Sequence, residues 1–228
     1  MQLAEKRRWR FNGPEMEGPI ARWYTRVRGT PSQLGLYRRQ ASELIAGLAP
    51  GSRVLEVAPG PGYLAIEIAR AGDFAVTGLD ISHTFVEIAR ANARKAEVAV
   101  DFHQGDVAQM PFASGSFDLI VCQAAFKNFT LPHSALAEMH RVLRPGGTAV
   151  IQDMSRDATH GDIDREVGQM ELGRIATFTT KATLEMLKRR AYASAELARL
   201  AANSPFGTCE IKAEGIGLEI RLTKEENR

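Results

Sequence analysis

Residues 54–63, Val-Leu-Glu-Val-Ala-Pro-Gly-Pro-Gly-Tyr, constrain this chain more than any other stretch. An apolar strand runs into a glycine turn, and the turn opens a helix. Gly60 and Gly62 let the main chain approach a ligand with no Cβ in the way, and the first amides of the helix offer hydrogen bonds to an anionic group. The spacing Gly60-x-Gly62-x-x-Ala65 also satisfies the loose dinucleotide fingerprint, so it points to a nucleotide-type cofactor without saying which.

From Arg53 onward short apolar runs alternate with helical periodicity. The runs are 54–57, 75–79, 98–102, 117–122 and 148–152, and helical stretches are expected at 63–71, 83–95 and 133–143. Strands of four to six residues alternating with helices imply an α/β fold with a parallel sheet covered on both faces. Right-handed crossovers then gather the strand C-termini, and with them the ligand, along one edge. The end of the chain breaks this rhythm. A helical region is expected around 181–190, Ser194 is placed as the cap of a helix through Ala202, and runs 209–212 and 218–222 flank Glu214-Gly215 as an antiparallel hairpin.

Ahead of the sheet, Ile20, Trp23, Tyr24 and Val27 make one amphipathic stripe. A second helix, entered at Thr30-Pro31 and ended by Pro50-Gly51, carries Ala41, Leu44, Ile45 and Leu48. Residues 1–40 hold nine Lys/Arg against three Glu, although the whole chain has a formal net charge of only +2. Such a basic front suits a solvated arm, an anionic substrate or a membrane surface. No aromatic-interleaved pattern accompanies it, which argues against nucleic acid. Hydrophobic residues at 44% and charged residues at 25% exclude a disordered chain. No apolar run has the length of a membrane span and no secretory signal is read, so a cytoplasmic location is the default expectation. Cys122 and Cys209 have neither C-x-x-C spacing nor a nearby His, which argues against a disulfide framework and against a metal site. Cys122 reads as a small buried hydrophobe.

Three features narrow the cofactor. Glu56 closes the first strand four residues before Gly60. Asp80 closes the second, where a carboxylate can accept both hydroxyls of a ribose, and Gly105-Asp106-Val107 follows the third, where one can meet an adenine amine. Together with Met110-Pro111-Phe112, Phe117-Asp118-Leu119-Ile120-Val121 and Leu143-Arg144-Pro145-Gly146-Gly147, these residues make the chain resemble the class I S-adenosylmethionine-dependent methyltransferases. The likeness is to the branch acting on quinones and other small molecules, and it covers residues 53–152. The resemblance implies a Rossmann-like seven-stranded sheet, mostly parallel with a C-terminal antiparallel hairpin, and S-adenosyl-L-methionine as cofactor. It further implies that Glu56, Gly60 and Gly62 line the methionine part, that Asp80 holds the ribose with Ile81 on the adenine, that Asp106 and Val107 meet the adenine edge, and that Gln123 lies near the sulfonium. The family's first loop glycine is replaced by Ala58.

The reaction centre is less determined. The stretch 123–129, Gln-Ala-Ala-Phe-Lys-Asn-Phe, lacks the Asn/Asp-Pro-Pro-Tyr/Phe motif of nucleic-acid and protein amine methylation. Displacement at a sulfonium draws chiefly on alignment and desolvation, and a base is needed only for a protonated acceptor. His133, Tyr24 and Lys127 are the weak candidates for a base or orienting group. His83 and His140 are also considered, and His140 is read as structural. Residues 1–50 are expected to form a helical lid on a methyltransferase domain at 51–228. A helical insertion at about 155–192 would roof a small-molecule acceptor with Met170, Leu172, Ile175, Phe178, Leu184, Met186 and Leu187. The same surface could serve a homodimer. A nicotinamide-dependent oxidoreductase, a non-catalytic cofactor-binding member of the fold and an RNA methyltransferase remain as alternatives. Against the first, no Tyr-x-x-x-Lys pair occurs in the chain.

Overall fold

The computed structural model describes residues 16–170 and 173–226. Lys6, Arg7, Arg8 and Arg10 of the basic front, Leu172, and the side chain of Ile175 lie outside the described residues. Helices α1 (Gly18–Arg28) and α2 (Pro31–Leu44) precede an alternation of β1 (Arg53–Val57), α3 (Tyr63–Ala71), β2 (Ala75–Asp80), α4 (His83–Lys95), β3 (Asp101–Gln104) and β4 (Phe117–Gln123). A 3-10 turn at Phe126–Asn128 leads to α5 (Pro132–Val142), β5 (Leu143–Met154), α6 (His160–Gly168), α7 (Arg174–Lys188) and α8 (Ser194–Ala202). The hairpin β6 (Glu210–Glu214) and β7 (Gly217–Thr223) ends the fold. The seven strands lie in the order β3-β2-β1-β4-β5-β7-β6, parallel except that β7 runs against both β5 and β6.

Alternation along the strands fills two cores. Leu55 and Val57 of β1 enter one cluster with Ile120, Cys122, Met139 and Ile151, while Val54 enters the other with Leu64, Ile68, Val86 and Val121. Each strand is therefore apolar on both faces, as a sheet covered by helices requires. Consecutive strands step outward from β1 in one direction and from β4 in the other, so the chain reverses between β1 and β4. The crevice at their C-terminal ends is where such sheets take ligands.

Several boundaries differ from the periodicity, each for a local reason. β3 begins at Asp101 and not at Val98, because Val98 donates to Ala93 O to close α4, and Glu97 takes φ +57°. α2 stops at Leu44, six residues before Pro50. Two helices, α6 and α7, occupy the stretch 155–192, and α7 begins at Arg174, ahead of the helical region expected around 181–190. α6 starts on a capping box in which Thr159 and Asp162 bond each other's main chain. Ser194 is the first residue of α8 and not its cap, and its N–H donates to Asp157. The largest reversal is in α1. Ile20, Trp23 and Val27 face outward, Trp23 being 62% exposed, and the buried residue is Ala21. Of the roof residues, Met170, Phe178 and Met186 are likewise exposed, and Leu184 and Leu187 are half-buried.

Candidate active site

The crevice between β1 and β4 holds a small cavity open to solvent. Tyr24 and Arg28 of α1, Tyr37 of α2 and Glu56 of β1 form part of its wall. Residues 58–61 of the glycine loop, Tyr63 and Leu64 of α3, Gln123 at the end of β4 and Ala124 just past it complete it. Glu56 reaches it because strand alternation turns its side chain to the face covered by α2 and α3. There it is 3% exposed, and its Oε2 accepts the N–H of Ala65 at 2.8 Å. Burial pushes this carboxyl up to about 8, and nearby Asp80 adds to the rise.

Asp80, 6% exposed, stands behind the loop and organises it. Oδ2 accepts Gly60 N–H at 2.9 Å and Oδ1 accepts Ser82 N–H at 2.9 Å. Burial raises it to about 6 while those amides pull the other way. The two loop glycines serve different ends. Gly60, at φ +54°, fronts the cavity, and a Cβ there would meet only Tyr24 and Phe85, at 3.9 and 4.0 Å. Gly62 is not in the cavity wall. A Cβ on it would lie 2.7 Å from Phe102 and 2.9 Å from Ala89, so this glycine lets α4 and β3 pack against the loop. Ala58, in place of the family's glycine, takes φ +55°, a conformation that costs an L-residue about 1–2 kcal/mol. Ala58→Gly is therefore expected to raise stability in urea by about 0.5–1 kcal/mol, since glycine's looser unfolded chain offsets part of the relief. A loss of stability would show that the alanine methyl's packing outweighs the strain.

Among the residues expected at the site, Glu56, Gly60, Gln123 and Tyr24 meet around the cavity, and Asp80 holds it from behind. Ile81, Asp106 and Val107 lie at the ends of β2 and β3, outside this cavity's wall. Asp106 Oδ1 takes Ala108 N–H at 2.9 Å. His133 is exposed in the first turn of α5, and His83 is exposed with its N–H on Glu17. His140 packs edge-on against Phe206. Lys127 is no free base. Its Nζ donates to Asp153 Oδ1 at 2.6 Å and to Ala124 O at 2.7 Å, and its side chain is 8% exposed.

Arg28, Tyr37 and Tyr63 are site residues that the apolar periodicity passed over. Arg28 sits one helical turn after Tyr24, its Nε donates to Tyr37 Oη at 2.8 Å, and its guanidinium lies 5.3 Å from the centre of the Tyr37 ring. Burial first, against the pull of Arg28, pushes the Tyr37 phenol up to about 12, so it stays protonated. Tyr63 ties α3 to α1 by donating to Thr25 O at 3.2 Å. The i, i+4 pair Tyr24–Arg28 was the available signal.

Residues 55–151 match the family described as methyltransferase domain. That stretch runs from β1 into β5 and is what the chain shares with methyltransferases. The demethylmenaquinone methyltransferase of Deinococcus radiodurans is 36% identical over 149 residues, covering 64% of this chain and 61% of that protein. A ubiquinone/menaquinone biosynthesis C-methyltransferase of Roseobacter denitrificans is 34% identical over 128 residues, covering 54% of this chain and 51% of its own. The chain thus spans between half and three fifths of the length of these relatives. Among solved structures, a protein of Methanococcus maripaludis assigned as an S-adenosyl-L-methionine-dependent methyltransferase superposes with a TM-score of 0.75 at 20% identity. That match covers 96% of this chain and 99% of the other. The [4+2]-cyclase SpnF shares the fold at a TM-score of 0.57 and 19% identity, over 86% and 82% of the two chains. The methyltransferase architecture therefore carries more than one chemistry.

The cofactor of the methyltransferase family and fold is S-adenosylmethionine, and the donor set in the cavity suits it. The methionine end of that molecule carries an ammonium and a carboxylate, and the cavity pairs one buried carboxyl, Glu56, with one guanidinium, Arg28. The cavity floor is main chain with a glycine at φ +54°, which leaves room for close approach.

Proposed function

We propose that this chain transfers a methyl group from S-adenosylmethionine to a small-molecule acceptor of quinone or phenol type. The observation that carries the reading is that a buried carboxyl, Glu56, and a guanidinium, Arg28, line one cavity at the sheet's reversal point, where Asp80 fixes the glycine loop. The names of the two quinone-pathway relatives support the acceptor class. When bound, the cofactor supplies a methyl group activated on a sulfonium. Glu56 receives the ammonium, Arg28 and the protonated Tyr37 hydroxyl receive the carboxylate, and Asp80 accepts from the ribose with its remaining lone pairs. Ile81, Asp106 and Val107 take the adenine side. The lid expected at 1–50 is supported on its described part, where α1 supplies Tyr24 and Arg28 to the cavity wall and is tied to α3 through Tyr63. No base is assigned. Tyr24 orients the acceptor and Lys127 supports the wall. The exposed stripe Ile20, Trp23 and Val27, beside Arg22 and Arg26, supports contact with an anionic lipid surface. Vesicles of phosphatidylglycerol should carry the chain down on centrifugation, and its staying in solution would remove that contact.

Calorimetric titration with S-adenosylmethionine, S-adenosylhomocysteine and NADH tests the reading. Binding of the first two and not the third is expected, and the reverse would restore the oxidoreductase. The pH dependence is a sharper check. Free protein holds the Glu56 proton up to about 8, whereas an ammonium partner favours the ionised carboxyl. The complex then binds fewer protons than the free protein, so affinity rises with pH. The gain should reach up to about tenfold per unit between roughly 6 and 8, then level off, with proton release visible as a buffer-dependent heat. A flat profile would take Glu56 off the ammonium.

A further inference from the structure

Beyond the cavity wall, a row of side chains crosses three strands with a single direction. Gln123, Gln152 and Glu219 are register neighbours on β4, β5 and β7. Gln123 Nε2 donates to Gln152 Oε1 at 3.2 Å, and Gln152 Nε2 donates to Glu219 Oε2 at 2.7 Å. Glu219 Oε1 in turn takes Arg221 Nε at 2.8 Å. A carboxylate held by an arginine is an acceptor only. It therefore draws the amino group of Gln152, which turns the carbonyl of Gln152 toward Gln123. That carbonyl in turn draws the amino group of Gln123. Flipping either amide would set oxygen against oxygen, so one charge in the terminal hairpin fixes two amides in series.

We infer that Glu219 is a positioning residue that turns the Gln123 carbonyl toward the cavity, so that this wall selects a ligand group able to donate a hydrogen bond. The inference deepens the methyltransferase reading and rests on it for the identity of the cavity's occupants. It names the chemistry at one point of that cavity, a hydroxyl or amine in place of an ether or carbonyl oxygen. Glu219 touches no ligand itself. It acts from the hairpin, two strands away from β4.

Two measurements on the full chain test it. In the ligand-free protein, the side-chain amide protons of Gln123 and Gln152 should exchange slowly with solvent. Glu219→Leu, which removes the acceptor, should lose that protection at Gln152 and weaken it at Gln123, while Glu219→Gln, whose amino group can reverse the row, should lose it at Gln123. Unchanged protection in both variants overturns the row. In protein saturated with S-adenosylhomocysteine, 2-naphthol should bind about tenfold more tightly than 2-methoxynaphthalene, one hydrogen bond to a carbonyl. Glu219→Gln and Gln152→Leu should each reduce that preference to less than about threefold while S-adenosylhomocysteine affinity holds. Equal binding of the two naphthalenes by the unaltered protein, or binding of neither, overturns the assignment of the carbonyl. So does a preference that survives in either variant. Absence of S-adenosylhomocysteine binding instead removes the methyltransferase reading, and the exchange measurement still decides the row.

Discussion

Asp80→Ala is expected to cost S-adenosylhomocysteine about a hundredfold in affinity. Two charge-assisted hydrogen bonds to a ribose are worth about 1.5 kcal/mol each, which gives a factor of this size. The same change also reaches the fold, because both carboxylate oxygens already receive main-chain donors, Gly60 N–H and Ser82 N–H. Orphaning two buried donors costs about 1–3 kcal/mol apiece. Some of that returns because burial alone disfavours the charged carboxylate and raises it to about 6. A net loss of about 2–3 kcal/mol in urea unfolding is therefore expected, with the domain still folded. Asp80→Asn separates the two effects. Its single carbonyl oxygen keeps one of the two amides satisfied but presents an amino group to the other, so stability should fall less than for alanine, while ribose recognition should fall almost as far. A folded Asp80→Ala protein with undiminished affinity would remove the ribose assignment and leave Asp80 as a loop anchor only.

The division between what was legible in the sequence and what was not follows the range of the interactions. α3 and α4 fall on the residues that apolar spacing gives, and the β6–β7 hairpin turns at Glu214-Gly215, because periodicity, a serine cap and a positive-φ glycine act within a few residues. Glu56 and Gly60 were legible for the same reason: strand, turn and helix are contiguous. Arg28 and Tyr37 were not, since their meeting depends on α1 docking against α4 with its last turns beside α2 and α3, and nothing local encodes that. Periodicity found the stripe on α1 but not the side it faces. Ala21 is small enough to let the helix lie close, and that leaves Ile20, Trp23 and Val27 outside. Gln152 and Glu219 become neighbours only through the antiparallel pairing of β7 with β5, across 67 residues of chain. Ala58 was recognised as an odd residue in the loop. Its left-handed conformation shows that the turn geometry is imposed by the surrounding strands and helix, and not by the residue occupying it.

Lys127→Met is expected to destabilise the protein by about 3–5 kcal/mol, the range found when one partner of a buried ion pair is removed. Lys127 and Asp153 are 8% and 7% exposed, and Asp153 holds Lys127 twice, taking Nζ on Oδ1 at 2.6 Å and the main-chain N–H on Oδ2 at 3.1 Å. Without the ammonium, a carboxylate stays buried with only amide partners, and Ala124 O loses its donor at a residue already held at φ +55°. Adding Asp153→Asn to Lys127→Met should recover more than half of the loss. The asparagine oxygen can still accept from an amide, and no uncompensated charge remains. Urea unfolding of the two single variants and the double variant gives the coupling directly. The cycle also decides what Lys127 does for the reaction. With two of its three protons on Asp153 and Ala124, the side chain is tied into the wall and not turned to an acceptor. The double variant should therefore keep S-adenosylhomocysteine affinity and most turnover once folded, with the remaining loss in the acceptor's KM as the Ala124 wall loosens. Full stability of Lys127→Met with turnover abolished would reverse this and return Lys127 to the role of base.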